Sequence, residues 1–106
     1  MKRYDILWAK LDPVRGSEIA KPRPVVVVSL DVLNTALATV TVCPLTSTLH
    51  PGWRTRIGII CAGKPAEIAV DQIRAISKQR LGSKIDALSE NDARMLRRLI
   101  TEMYGE

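Results

Sequence analysis

Arg23-Pro24-Val25-Val26-Val27-Val28-Ser29-Leu30 is the stretch on which the fold turns. It is entered through Lys21-Pro22, and the two prolines fix φ and push the residues before them out of the helical region, so the chain arrives extended. Residues 25–30 then read as a strand, because β-branched side chains are stiff at χ1 and suit a pleated surface. No polar residue alternates with the valines. That predicts a central strand covered on both faces.

Outward from this strand, turn chemistry divides the rest of the chain. Residues 4–10 read as a first strand with Tyr4, Ile6 and Trp8 on one face at period two, and the polar segment 11–18 connects it to the valine run. A short helical turn is expected over 31–37. Residues 38–43 alternate as a third strand that Pro44 should end. A hydroxyl-rich loop follows, then a fourth strand over 54–61, a turn at Gly63-Lys64-Pro65, a fifth strand over 67–76 and a short one over 84–88. Ser89 is placed to cap a helix whose Ala93, Leu96, Ile100 and Met103 share one face. The sum is a mainly β fold with a C-terminal helix: a small barrel or strongly curved sheet, as one domain over 1–106.

Composition bounds the function. For 106 residues, area scaling gives roughly 17,000 Å² unfolded and roughly 6,000 Å² folded, enough burial for a core without disulfide or metal staples. A hydrophobic fraction of 46% and a charged fraction of 25% exclude a disordered or fibrous chain. The net charge of +5 suits a polyanion or an acidic protein partner. The single histidine rules out a mechanism needing two from one chain. No apolar run approaches the ~18 residues of a membrane span, and the basic start lacks a following apolar segment, so a cytoplasmic protein is expected. Cys43 and Cys61 have no CxxC partner and read as small buried thiols. No metal-ligand set is present and no cofactor is expected.

Three places can carry chemistry. Arg23, held between two prolines, has its backbone direction set before any ligand arrives, which lowers the entropy lost when a guanidinium meets a phosphate. Thr46-Ser47-Thr48 offers hydroxyls and backbone N–H groups to a phosphate oxygen, although such runs also bond to themselves in turns. Asp71-Gln72-Ile73-Arg74 interrupts an apolar strand, with Glu67 or Asp71 as a carboxylate base and Arg74 as a pairing partner for either. A structural ion pair is the alternative there. His50, in a turn with Pro51 and Gly52, reads as solvated. Trp53 beside it can stack on a base, and Arg94, Arg97 and Arg98 read as a solvated helix face.

Taken in order, Asp5-Ile6-Leu7-Trp8-Ala9-Lys10-Leu11-Asp12-Pro13, Gly16-Ser17-Glu18, Arg23-Pro24-Val25-Val26-Val27-Val28-Ser29, Pro44-Leu45-Thr46-Ser47, Asp71-Gln72-Ile73-Arg74 and Lys78-Gln79-Arg80-Leu81-Gly82 resemble the MazF/PemK family of toxin ribonucleases. The resemblance runs from Tyr4 to the final helix. It implies a barrel of the type shared with the CcdB gyrase poison. It also implies a homodimer cutting single-stranded RNA without a metal, and a cognate acidic antitoxin that covers the RNA groove. Arg23 and Thr46 occupy the catalytic positions. Ser17 replaces a histidine of some relatives, and Ala69 stands where some carry an arginine paired with the carboxylate at Asp71, which leaves the role of Asp71 open. Glu18 and Asp71 are the candidate bases if desolvation raises them toward neutrality. RNA contacts are expected at Ser17, Lys21, Ser47, Thr48, Trp53, Arg54, Gln72 and Arg74.

The reaction that fits is attack of a ribose 2′-hydroxyl on the adjacent phosphate, giving 2′,3′-cyclic phosphate and 5′-hydroxyl ends and so stopping translation. Two rivals remain. A gyrase poison on this fold relies on a Trp-Gly-Ile type C-terminus, whereas this sequence ends Met103-Tyr104-Gly105-Glu106. A barrel that binds RNA or protein without catalysis is the other.

Overall fold

The computed structural model describes residues 1–11 and 22–105. Its strands are β1 (Asp5–Ala9), β2 (Arg23–Val27), β3 (Thr39–Thr46), β4 (Arg56–Cys61), β5 (Lys64–Ala69), β6 (Arg74–Ser77) and β7 (Leu81–Ala87). A short helix α1 (Asp31–Ala36) precedes β3, and α2 (Glu90–Tyr104) closes the chain. The strands form one antiparallel sheet in the order β4-β5-β3-β2-β1-β7, with β6 also on β3. The sheet curls until its outer strands approach, and the Ala62 N–H donates to Asp86 Oδ2 across the gap at 2.8 Å. The expected mainly β barrel with a C-terminal helix is the observed architecture.

The valine run is covered on both sides, as its lack of alternation requires. Val26 and Val28 join Ile6, Ile68 and Leu96 in a core beneath α2, while Val25 and Val27 join Leu7, Val40 and Val42 in a second core on the other face. β1 is likewise buried on both faces. Ile6 and Tyr4 enter the core under α2, but Trp8 stands beyond its edge, 42% exposed. Period two identified that shared face correctly; which part of the face is covered depends on tertiary packing.

Several boundaries differ from expectation, β2 ending at Val27 and β7 starting at Leu81 among them, and three have identifiable reasons. Pro44 does not end β3. Val28 donates its N–H to Thr41 O at 2.9 Å, and alternation from that pair makes Val25/Pro44 a non-hydrogen-bonded pair. The nitrogen of Pro44 therefore points away from β2, to the edge where β3 passes from β6 (Thr39 to Val42) to β5 (Leu45 and Thr46). A missing N–H is tolerated at such a break. The single strand expected over 67–76 is instead β5, a 3-10 turn at Val70–Gln72 and β6, which pairs with opposite ends of β3. Asp71 and Gln72, the polar residues that interrupted the pattern, form that turn. The β4–β5 turn also falls one residue earlier than expected, at Ala62-Gly63, both with positive φ (51° and 81°), which is the two-residue type I′ connection.

At α2 the cap is as expected, with the Asp92 N–H donating to Ser89 Oγ at 3.1 Å. Tyr104 Oη donates to Val70 O at 3.0 Å, tying the helix end to the turn that carries Asp71. α1 ends on Lys78, whose ammonium donates to Asn34 O and Leu37 O, a cation where the helix dipole favours one. Leu96 is fully buried under α2, whereas Met95 is 47% exposed. Leu96→Ala should lower the unfolding free energy by about 3 kcal/mol in urea titrations, and Met95→Ala should change it by less than about 0.5 kcal/mol.

Candidate functional site

Continuing the β2–β3 register by two residues from Val25/Pro44 brings Arg23 beside Thr46 at the open end of the pair. Both line a cleft of about 480 Å³ together with His50, Arg56, Gln72 and Arg74. Arg23 and Thr46 also border a second, more apolar cleft of about 600 Å³ that includes Trp8, Ser47 and Ile85. They thus stand where a polar and an apolar cleft meet. Thr46 Oγ1 accepts the N–H of Thr48 at 3.1 Å. The loop is bonded to itself to that extent, but an accepting hydroxyl still has its own proton to donate to a phosphate oxygen.

The remaining expected site residues divide by position. Gln72 and Arg74 share the polar cleft with Arg23 and Thr46, while Ser47 lies in the adjoining one. Thr48, Trp53, Arg54 and Asp71 line neither, although Asp71 adjoins the cleft through Gln72 and Arg56. Ser17, Glu18 and Lys21 lie outside the described residues. Trp53 has its ring stacked on His50, with centroids 3.9 Å apart and planes 13° from parallel, and Arg56 Cζ lies 4.8 Å from the indole centroid. Its π system is thus already engaged within the protein. His50 is half-buried in this stack rather than solvated.

Arg56 is the residue that sequence reasoning missed. It faces Ala69 across the β4–β5 hairpin, with Glu67 two residues to one side of Ala69 and Asp71 two to the other. Its Nε donates to Asp71 Oδ1 at 2.8 Å and its Nη1 lies 3.6 Å from Glu67 Oε1. Both carboxylates considered as partners for Arg74 are engaged by Arg56. The available signal was the spacing Glu67, Ala69, Asp71, two acids flanking a small residue at period two. It becomes readable only once the hairpin register is known.

The electrostatics follow from this arrangement. Glu67 is buried, its Oε2 accepting the His50 N–H at 2.8 Å, while Oε1 has no hydrogen bond and faces Arg56. Burial pushes the Asp71 carboxyl up. Hydrogen bonds from Arg56, from Thr55 and from its own N–H, together with the charge of Arg56, outweigh that and hold it below the usual carboxylate range. The rise toward neutrality that a base would want is therefore absent at Asp71. Burial, aided by the charge of Asp71, pushes the Cys43 thiol up to about 12, and Cys61 is raised by burial and Asp86, so neither sulfur is an activated nucleophile. Among the described residues, no group of His, Cys, Asp and Glu is arranged to hold a metal ion, and no helix is long and apolar enough to cross a membrane.

A carboxyl depressed in the folded state contributes stability that is complete above its unfolded value, about pH 4, and is lost as pH falls through the lower folded value. Asp71→Asn should therefore be less stable than the parent at pH 7, and the difference should shrink as the pH falls below the unfolded value of about 4, as read from urea titrations across that range.

Comparison with known proteins agrees with this fold. A family model described as PemK-like, MazF-like toxin of type II toxin-antitoxin system matches residues 2–104. Endoribonuclease MazF of Staphylococcus saprophyticus is 32% identical over 110 aligned positions, covering 99% of this chain and 92% of that protein. The structure of Mycobacterium tuberculosis toxin MazF-mt6 superposes with a TM-score of 0.79 at 26% identity, covering 94% of this chain and 95% of that one. An endoribonuclease in complex with its cognate antitoxin, from a Mycobacterial species, gives a TM-score of 0.81 over 99% of this chain and 95% of that one, and at 18% identity speaks for the fold alone. With the family model spanning nearly every residue, the chain belongs to the PemK-like, MazF-like toxins of type II toxin–antitoxin systems.

Proposed function

We propose that this toxin is a metal-independent endoribonuclease that cuts single-stranded RNA by directing a ribose 2′-hydroxyl onto the neighbouring phosphate. The products are a 2′,3′-cyclic phosphate and a 5′-hydroxyl. The curated relative's endoribonuclease activity supports the reaction class. The observation that carries the site is Arg23 beside Thr46 in a cleft that also holds Arg56 and Arg74. Because the substrate brings its own nucleophile, the protein's tasks reduce to in-line positioning, proton transfer and stabilising charge on the phosphorane. Arg23 offers parallel donors to the non-bridging oxygens, and Thr46 donates its hydroxyl beside them.

Asp71 is ionised at neutral pH but binds a proton weakly, so it suits electrostatic positioning better than proton abstraction. Glu18 and the buried Glu67 are the remaining carboxylates considered for the base. Cleavage of messenger RNA in the cytoplasm would halt translation and growth, and an acidic antitoxin would neutralise the toxin by occupying the same cationic cleft. A homodimer is supported by the exposed apolar residues on and beside α1, namely Leu30, Val32, Leu33 and Leu37, the kind of surface a second copy covers.

Arg23→Ala and Thr46→Ala should each lower cleavage by ~10²–10³ while leaving the fold intact, the usual cost of removing one donor from a charged transition state. End mapping on a long single-stranded RNA should give 5′-hydroxyl ends at a short recurring sequence, with full activity in excess EDTA. Undiminished cutting by folded Arg23→Ala, or a strict Mg²⁺ requirement, would refute this mechanism. Binding without cutting would favour the non-catalytic barrel.

A further inference from the structure

We infer that Arg56 is a positioning residue of the RNA cleft: from β4 it delivers the guanidinium that fixes the Asp71 carboxylate, a task for which Ala69 has the position but not the side chain. The inference rests on the endoribonuclease reading above and deepens it. Arg56 is held on three sides. Asp71 takes its Nε at 2.8 Å, Glu67 lies 3.6 Å from Nη1, and Trp53 lies beneath Cζ at 4.8 Å. Its side chain is only 6% exposed, yet it lines the cleft that contains Arg23 and Thr46. A rigid guanidinium fork can span two carboxylates in this way; a lysine ammonium is a single point charge on a flexible stem and cannot.

With Arg56 and Glu67 buried and Asp71 32% exposed at the surface, a cluster of this kind is a poor device for stability. Taking the charges out of water costs several kcal/mol per ion, and apolar replacements of similar volume are often neutral or better. Its location is more informative. Arg56 links Asp71, in the turn beside the cleft residues Gln72 and Arg74, to Glu67 on β5 and to the Trp53 ring stacked on His50. The partner across the hairpin is Ala69, buried and too small to compete for the space. Because 56 and 69 are directly opposed, a guanidinium sent from either one can reach the same place. The lowered affinity of Asp71 for protons is the expected consequence of that contact.

The pairing supplies its own test. In the full-length protein, kcat and KM on a single-stranded RNA would be measured for Arg56→Ala, Arg56→Lys and the exchange variant Arg56→Ala/Ala69→Arg, and the Asp71 carboxyl would be titrated by NMR in each. Arg56→Ala should lower kcat by about 10²-fold, the scale of a ~1 Å misplacement, with a smaller change in KM and a raised Asp71 midpoint. The exchange variant should recover at least about tenfold in kcat and return the midpoint toward the parent's. A purely structural arginine would not be rescued from the facing strand. Native kcat in folded Arg56→Ala would overturn the inference, as would an exchange variant that restores the Asp71 midpoint but not kcat. If Arg56→Ala does not fold, Arg56→Lys decides: a loss of about tenfold or more in kcat supports the inference and native kcat overturns it. A parent protein that does not cut RNA would overturn the proposed reaction instead, and the NMR titrations would then decide the positioning role alone, an unmoved Asp71 midpoint counting against it.

Discussion

A strand has two edges to hydrogen bond with, and β3 uses both while changing its partner midway along one of them. β2 follows one edge. On the other, β6 pairs with the first half and β5 with the last residues, and Pro44, lacking an N–H, occupies the change. The rest of the molecule depends on this division. It splits the segment after β4 into two strands joined by a tight turn, curls the sheet and leaves the ends of β2 and β3 open together. Arg23 and Thr46 lie at that open end, and Asp71 and Gln72 lie in the turn that the split creates. One arrangement of backbone hydrogen bonds thus brings into one cleft residues that are 49 positions apart, from Arg23 to Gln72.

The chemistry of the cleft is set by how its charges are shared. Arg56 is committed to Glu67 and Asp71, so both carboxylates are neutralised in part before any RNA arrives. That matters for a polyanionic substrate, because an uncompensated carboxylate near a phosphate would oppose binding. Arg23 and Arg74 face the same cleft. The cleft thus gathers three arginines, of which Arg56 is held by the two acids. RNA and an acidic antitoxin would be drawn to one surface for the same physical reason.

Elements governed by local chemistry were readable from the sequence. The valine run announced a strand buried on both faces, and Ser89 with the helical spacing of Ala93, Leu96, Ile100 and Met103 announced α2. Pro44 misled because a proline normally ends a central strand, and the partner change that accommodates it is not a local property. Asp71-Gln72 was noticed as an anomaly inside a strand, and the anomaly marked a turn. At the candidate site, Arg23 and Thr46 take their proposed roles from the family resemblance, since an arginine at a strand start and a threonine in a turn have ordinary structural explanations. Arg56 was not legible at all. Its role exists only through the register that sets it opposite Ala69 and between two acids, and pairing across a hairpin is decided by where the turn falls, here one residue earlier than the sequence suggested.

The central claim is that the phosphate to be cut sits between Arg23 and Thr46, and a structure with a bound substrate analogue tests it most directly. An RNA oligonucleotide carrying a 2′-deoxy sugar at the cutting position lacks the nucleophile and should remain intact. Its phosphate at that position is expected about 3 Å from both the Arg23 guanidinium and Thr46 Oγ1, with in-line geometry for the missing 2′-hydroxyl. RNA bound instead along the Arg94, Arg97 and Arg98 face of α2, with the Arg23–Thr46 cleft empty, would contradict it.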